Sequence, residues 1–258
     1  MFETGLVSIS FRDNSPEKII LEVSRAGLGG IEWGGDVHVP PQNIKKAQLV
    51  GKQTRDAGLK VMAYGSYYNL GCSSVGVNEF QAVLETAQAL GAPVVRIWAG
   101  NKGSLETSAE LRKSLQREAL MIADMAENYG IDIVLECHNN TLTDHWKSAL
   151  DFIRAVNHPR LKMYWQPNQH QNVEYNQLAA AELALYTMSI HVFHWDAEKR
   201  YPLEKGTDVW RTYLKPFILT GKNYGLLLEF MHDDKIESLY KTAKTLRSWI
   251  YNIGADSC

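Results

Sequence analysis

Residues 109–130 read AELRKSLQREALMIADMAENYG, and residues 131–139 continue as IDIVLECHN. In the first stretch the apolar positions recur at three- and four-residue spacing up to Gly130, the glycine expected just past a helix. In the second, a β-branched run closes on Glu136, Cys137 and His138. A helix, a glycine and a short buried strand in direct succession are the repeating element of a parallel sheet.

The same alternation runs outward in both directions. Strands are expected over residues 5–11, 29–35, 59–65, 93–100, 131–139, 161–168, 188–195 and 224–230. Helical spacing fills 15–27, 42–58, 77–91 and 109–130, with Pro16 and Ser, Asp or Asn residues at the helix starts. Repeats of roughly 30 residues in a chain of 258 predict an α/β fold, a single-domain (β/α)8 TIM barrel spanning 1–258. No strand is followed by the glycine-rich GxGxxG turn of a dinucleotide-binding sheet. Nor does a low-complexity linker divide the chain.

Composition narrows the function. With 45% hydrophobic and 22% charged residues, the chain can bury a large core without staples. A net charge of −2 offers no basic surface, so neither nucleic acid nor membrane is an expected partner. Cys72, Cys137 and Cys258 have no framework spacing and read as free thiols. The N-terminus MFETGLVSIS lacks the basic and long apolar regions of a signal peptide, and a cytoplasmic protein is expected.

In such a barrel the site lies at the C-terminal ends of the strands. There the chain places Glu32 and His38, Arg96, Glu136 and His138, Gln166 after Trp165, His191 and His194, and Glu229. Two acids ending two apolar strands are costly if buried without partners. A divalent cation held by Glu136, Glu229 and a histidine removes that cost. Carboxylate, imidazole and amide oxygen suit Mn²⁺, Mg²⁺, Co²⁺ or Zn²⁺.

At these residues the sequence resembles the xylose isomerase-like barrel superfamily, the sugar phosphate isomerase/epimerase group. The likeness runs from GGIEWGGDVHVP through IVLECHN and HVFHW to LLLEF. It implies a metal held by Glu136, Gln166, His191 and Glu229, with Glu136 and Glu229 as the catalytic acids and bases. Either His191 or His194 can fill the histidine position. Gln166 stands where an Asp is common, and it either ligates through its amide oxygen, contacts sugar hydroxyls, or marks a lost metal site. Leu142 replaces a glutamate that binds substrate in the ketose 3-epimerases of this superfamily.

The implied activity is metal-dependent isomerisation or epimerisation of a sugar or sugar derivative, by proton abstraction beside a carbonyl. Substrate contacts are expected from Glu32, His38, Arg96, His138, Trp165, His194 and Arg200; Arg96 serves either an anionic substrate group or an ion pair of the barrel mouth. A lyase or dehydratase shares the first proton abstraction. A non-catalytic sugar-binding or partner subunit is a further reading, with Gln166 as its best support and the retention of Glu136 and Glu229 against it. A nuclease of the endonuclease IV kind needs more metal ligands and a basic groove. The loop over 66–78 reads as a lid, a partner contact or an ordered surface loop, and the aromatic-rich loops suit a homodimer.

Overall fold

The structure, a computed structural model, describes residues 2–255, with side chains through Tyr251; Cys258 lies outside the described residues. The strands are β1 (Phe2–Val7), β2 (Gly30–Gly34), β3 (Lys60–Asn69), β4 (Val94–Trp98), β5 (Asp132–Glu136), β6 (Leu161–Trp165), β7 (Thr187–Val192) and β8 (Tyr224–Leu228). Between and after them run α1 (Pro16–Arg25), α2 (Ile44–Asp56), α3 (Asn78–Leu90), α4 (Ala109–Glu127), α5 (Trp146–Val156), α6 (Val173–Leu183), α7 (Thr207–Leu219) and α8 (Ser238–Ala255). Every neighbouring pair is parallel, and β8 returns to β1 from Phe2↔Tyr224 to Leu6↔Leu228. The sheet is therefore closed, a single-domain (β/α)8 barrel.

Local chemistry sets the element ends. Ser15, Asn43 and Ser108 each accept, through the side chain, from the amide three residues on, which satisfies a free donor at the helix start. Gly91 ends α3 at φ 80, a left-handed conformation that glycine adopts without a Cβ clash. No helix of the described residues is long and apolar enough to cross a membrane.

Strand ends depart from the sequence reading throughout: β4, β5, β6 and β8 stop two or three residues earlier than expected, and three other departures reshape the mouth. The run 5–11 leaves the sheet after Val7 as a 3-10 turn over Ser8–Phe11. There the Ser8 and Ser10 hydroxyls accept from the amides of Gly34 and Phe230, replacing strand hydrogen bonds. Strand β3 continues through Asn69, taking the first part of the expected lid loop into the sheet, with a register shift after Gly65. Strand β7 stops at Val192, three residues short of Trp195.

Two apolar layers follow from strand alternation. Val7, Ile9, Ala63, Val94, Val134, Tyr164 and Leu227 fill the barrel interior, and a larger layer separates strands from helices. Trp165 belongs to the second layer, because Tyr164 before it points inward. Its ring packs edge-on against Trp210 and Tyr213 of α7 and is 1% exposed. Trp165, an expected substrate contact, thus stands as a wall between sheet and helix. Trp165→Ala is expected to cost about 3–5 kcal/mol of stability, measured by urea unfolding; an unchanged midpoint would place the ring outside the core.

Candidate metal centre and active site

Three strands carry an inner-core residue two positions before a polar strand end: Val134 before Glu136, Tyr164 before Gln166, Leu227 before Glu229. Side chains two apart share a face, so all three polar groups enter the barrel mouth. Val94 does the same for Arg96 on β4. His191 enters from β7 and is fully buried.

These groups converge on His191 Nδ1. Gln166 Oε1 lies 3.1 Å away, Glu136 Oε1 3.4 Å and Glu229 Oε2 3.6 Å. The amide of Gln166 is oriented by its other end, since Nε2 donates to the Cys137 carbonyl at 2.9 Å. A carbonyl only accepts, so the amide oxygen is left facing the centre. Glu136 is likewise half-committed: its Oε2 accepts from Arg96 Nη1 at 2.5 Å and from Trp98 Nε1 at 2.6 Å. Only Oε1 is free to face inward.

Three acceptor oxygens around one imidazole nitrogen need a positive charge among them. Glu136, His191 and Glu229 each offer a ligand atom, all within 4.8 Å of one another. Glu32 sits behind them, its Oε1 accepting from Arg96 Nε at 2.7 Å and its Oε2 lying 3.5 Å from His191 Nε2. With His191 neutral, as a metal ligand must be, Glu32, Glu136 and Glu229 against Arg96 leave two negative charges, the number that a divalent cation neutralises. The residues present fit such an ion.

The charges act on one another. Burial opposes ionisation of Glu136, but Arg96 and His191 together outweigh it, and the carboxyl is held well below the usual range. Burial raises Glu229, and Glu136 adds to the rise against the pull of His191. His191 would lose its charge to burial, yet Glu229, Glu136 and Glu32 together push it up to about 10. A raised histidine keeps its proton at neutral pH, and that proton competes with a metal ion. Binding of a divalent ion is therefore expected to expel about one proton near pH 7. Affinity should rise as pH climbs toward the His191 value. Calorimetry in buffers of different ionisation enthalpy measures the proton count; binding without proton release would remove His191 from the ligand set.

Other expected contacts fall into two groups. Glu32 and Arg96 are buried and bound to each other, and Arg96 also pairs with Glu136 as an ion pair of the mouth. His38 has both ring nitrogens engaged, one with Ser8 Oγ and one with the Asn14 carbonyl, and is 2% exposed. All three groups are held below the rim. His194 lies away from the acids, beside Tyr201 and Gly206. Its distance leaves the central place to His191.

His138 and Arg200 remain at the rim. His138 packs on Trp98, and its Nδ1 donates to the Asn139 carbonyl at 2.7 Å, leaving the Nε2 lone pair free when the ring is neutral. Arg200 lies between the rings of Trp195 and Phe230 and pairs with Asp234. Tyr67, one of the aromatic residues expected at the strand ends, and Phe230, which sequence reasoning did not single out, are both in left-handed conformations, at φ 59 and 47. Tyr67 meets Trp98 edge-on and bonds to Arg12, which also pairs with Asp36. Such strain gathers at functional sites, but nothing in the residue type announces it.

Relatives are consistent with this geometry. A 3-dehydroshikimate dehydratase of Bacillus anthracis is 27% identical over 172 residues, 62% of this chain and 59% of that protein. The match thus spans less than two thirds of the relative's length. The structure of the probable 3-DHS dehydratase AsbF, also from Bacillus anthracis, superposes with a TM-score of 0.79 at 20% identity, covering 96% of this chain and 99% of that one. That of a D-allulose 3-epimerase from Methylomonas sp. gives 0.75 at 14% identity, covering 96% and 98%. Residues 20–252 match the family described as xylose isomerase-like TIM barrel. With that match running over nearly the whole barrel, the chain belongs to the xylose isomerase-like TIM barrel family.

Proposed function

We propose that this protein is a divalent-metal-dependent enzyme that removes a proton next to the carbonyl of a sugar or sugar-like substrate. The observation that carries the reading is the convergence of Glu136, Gln166 and Glu229 on His191 Nδ1 at the strand ends. When bound there, the ion supplies Lewis acidity toward the substrate carbonyl. Glu136 is the poorer base of the two acids, since one oxygen is occupied by Arg96 and Trp98 and its carboxyl is held low. Glu229, raised by burial, is the proton acceptor. His138 offers Nε2 as a second group that can hold or return a proton. Trp98 and Tyr67 meet edge-on at the mouth, where Trp98 also donates to Glu136.

One effective carboxylate base favours chemistry that needs a single base. Isomerisation moves a proton between adjoining carbons on one face, whereas epimerisation at one carbon needs groups on both. An isomerase is accordingly the first reading. Elimination of water is the second, and the observation in its favour is the dehydratase activity named for the 27% identical relative. Both begin with Glu229 taking the proton.

The test is deuterium uptake from solvent into a panel of ketoses, aldoses and cyclic hydroxyketones at saturating Mn²⁺ or Zn²⁺. Label in the recovered sugar identifies isomerisation and its carbon; new ultraviolet absorption from a conjugated carbonyl identifies dehydration. Glu229→Gln is expected to slow either by about 10²–10⁴-fold. Uptake that persists in Glu229→Gln would move the base elsewhere. No uptake and no absorption change with any member would overturn the reading.

A further inference from the structure

Glu32 touches no part of the rim where substrate binds, yet it contacts two of the groups that shape the centre. Its side chain is 0% exposed and starts on β2, with β1 and β8 between it and β7, so it reaches His191 across the barrel interior. One oxygen, Oε2, faces His191 Nε2 at 3.5 Å; the other accepts from Arg96 Nε at 2.7 Å. Arg96 in turn donates from Nη1 to Glu136 Oε2.

We propose that Glu32 is the positioning residue of the metal centre. It holds the His191 proton on Nε2, which leaves Nδ1 free to ligate, and through Arg96 it turns Glu136 Oε1 toward the same point. The chemistry follows from acceptors and donors. A carboxylate only accepts, so the imidazole nitrogen facing it carries hydrogen, and the opposite nitrogen presents its lone pair. Partners behind a metal-ligating histidine act in this way, and their loss weakens the metal.

Gly65 supports the assignment independently. It lies on β3, between β2 and β4, where the Glu32–Arg96 pair passes. A Cβ there would stand 2.7 Å from Arg96 Nη2 and 2.9 Å from Glu32 Oε1. Its backbone is outside the left-handed region, so space for the pair, not backbone conformation, is what excludes a side chain.

This role rests on the metal reading above, and the experiment separates the two. Zn²⁺ affinity is measured for wild type, Glu32→Gln and Gly65→Ala, with ¹⁵N-histidine NMR of the Zn²⁺-loaded wild type. An amide at position 32 cannot accept from both Arg96 and His191 at full strength, since one end donates. Glu32→Gln is expected to bind Zn²⁺ about 10–100-fold more weakly, and Gly65→Ala to shift affinity the same way. The wild-type His191 spectrum should have hydrogen on Nε2 and zinc on Nδ1. Equal affinity in both variants, or zinc on Nε2 in wild type, overturns the role of Glu32 alone. Wild type that binds no Zn²⁺ overturns the metal reading together with it. If a variant does not fold, the wild-type NMR signature decides.

Discussion

Arg96 is what allows three carboxylates to share one buried mouth. Its guanidinium, closed off from solvent, bridges Glu32 of β2 and Glu136 of β5 from its own strand between them. A buried charge without a partner is far more costly than an exposed one, and removing one member of such a pair typically costs about 3–5 kcal/mol. Arg96 therefore does more than join strands. It leaves a residual negative charge concentrated on the far side of the mouth, around His191 and Glu229, which is where a cation is best accommodated.

Below that mouth the barrel is apolar and closely filled. Val7, Ile9, Ala63, Val94, Val134 and Leu227 form a floor that keeps water from the underside of the polar groups. Low polarability beneath and charge above strengthen each electrostatic contact, and this is why Glu136 and Glu229, two carboxylates of the same kind, are driven in opposite directions. The proposed division of labour between them rests on this difference in environment. One carboxylate is pinned by Arg96 and Trp98, and the other is left able to exchange a proton.

Much of the site was legible because strand periodicity is simple. Once Val134 and Leu227 are taken as inward, Glu136 and Glu229 must follow, and the apolar runs mark both. The identity of Gln166 was also readable as an anomaly, but its meaning was not. Only the Cys137 carbonyl, a group without a sequence signal, explains why an amide rather than an acid stands there. What stayed hidden has one cause. Glu32, His38, Arg96 and Trp165 do lie near strand ends, but depth and facing cannot be read from position along the chain. Trp165 faces the helices, while the other three sit below the rim.

The alternation of apolar strands with amphipathic helices and capping residues was enough, by itself, to determine a closed parallel barrel, because those elements can bury their apolar faces in few other ways. It also determined which strands end in acids, histidines and an amide. Tertiary structure alone decided which of these meet. His191 rather than His194 joins the acids because β7 ends at Val192, and Arg96 turns inward to Glu32 and Glu136 because Gly65 leaves room. Such choices depend on distances of a few ångströms between strands far apart in the chain, and no local pattern of residues encodes them.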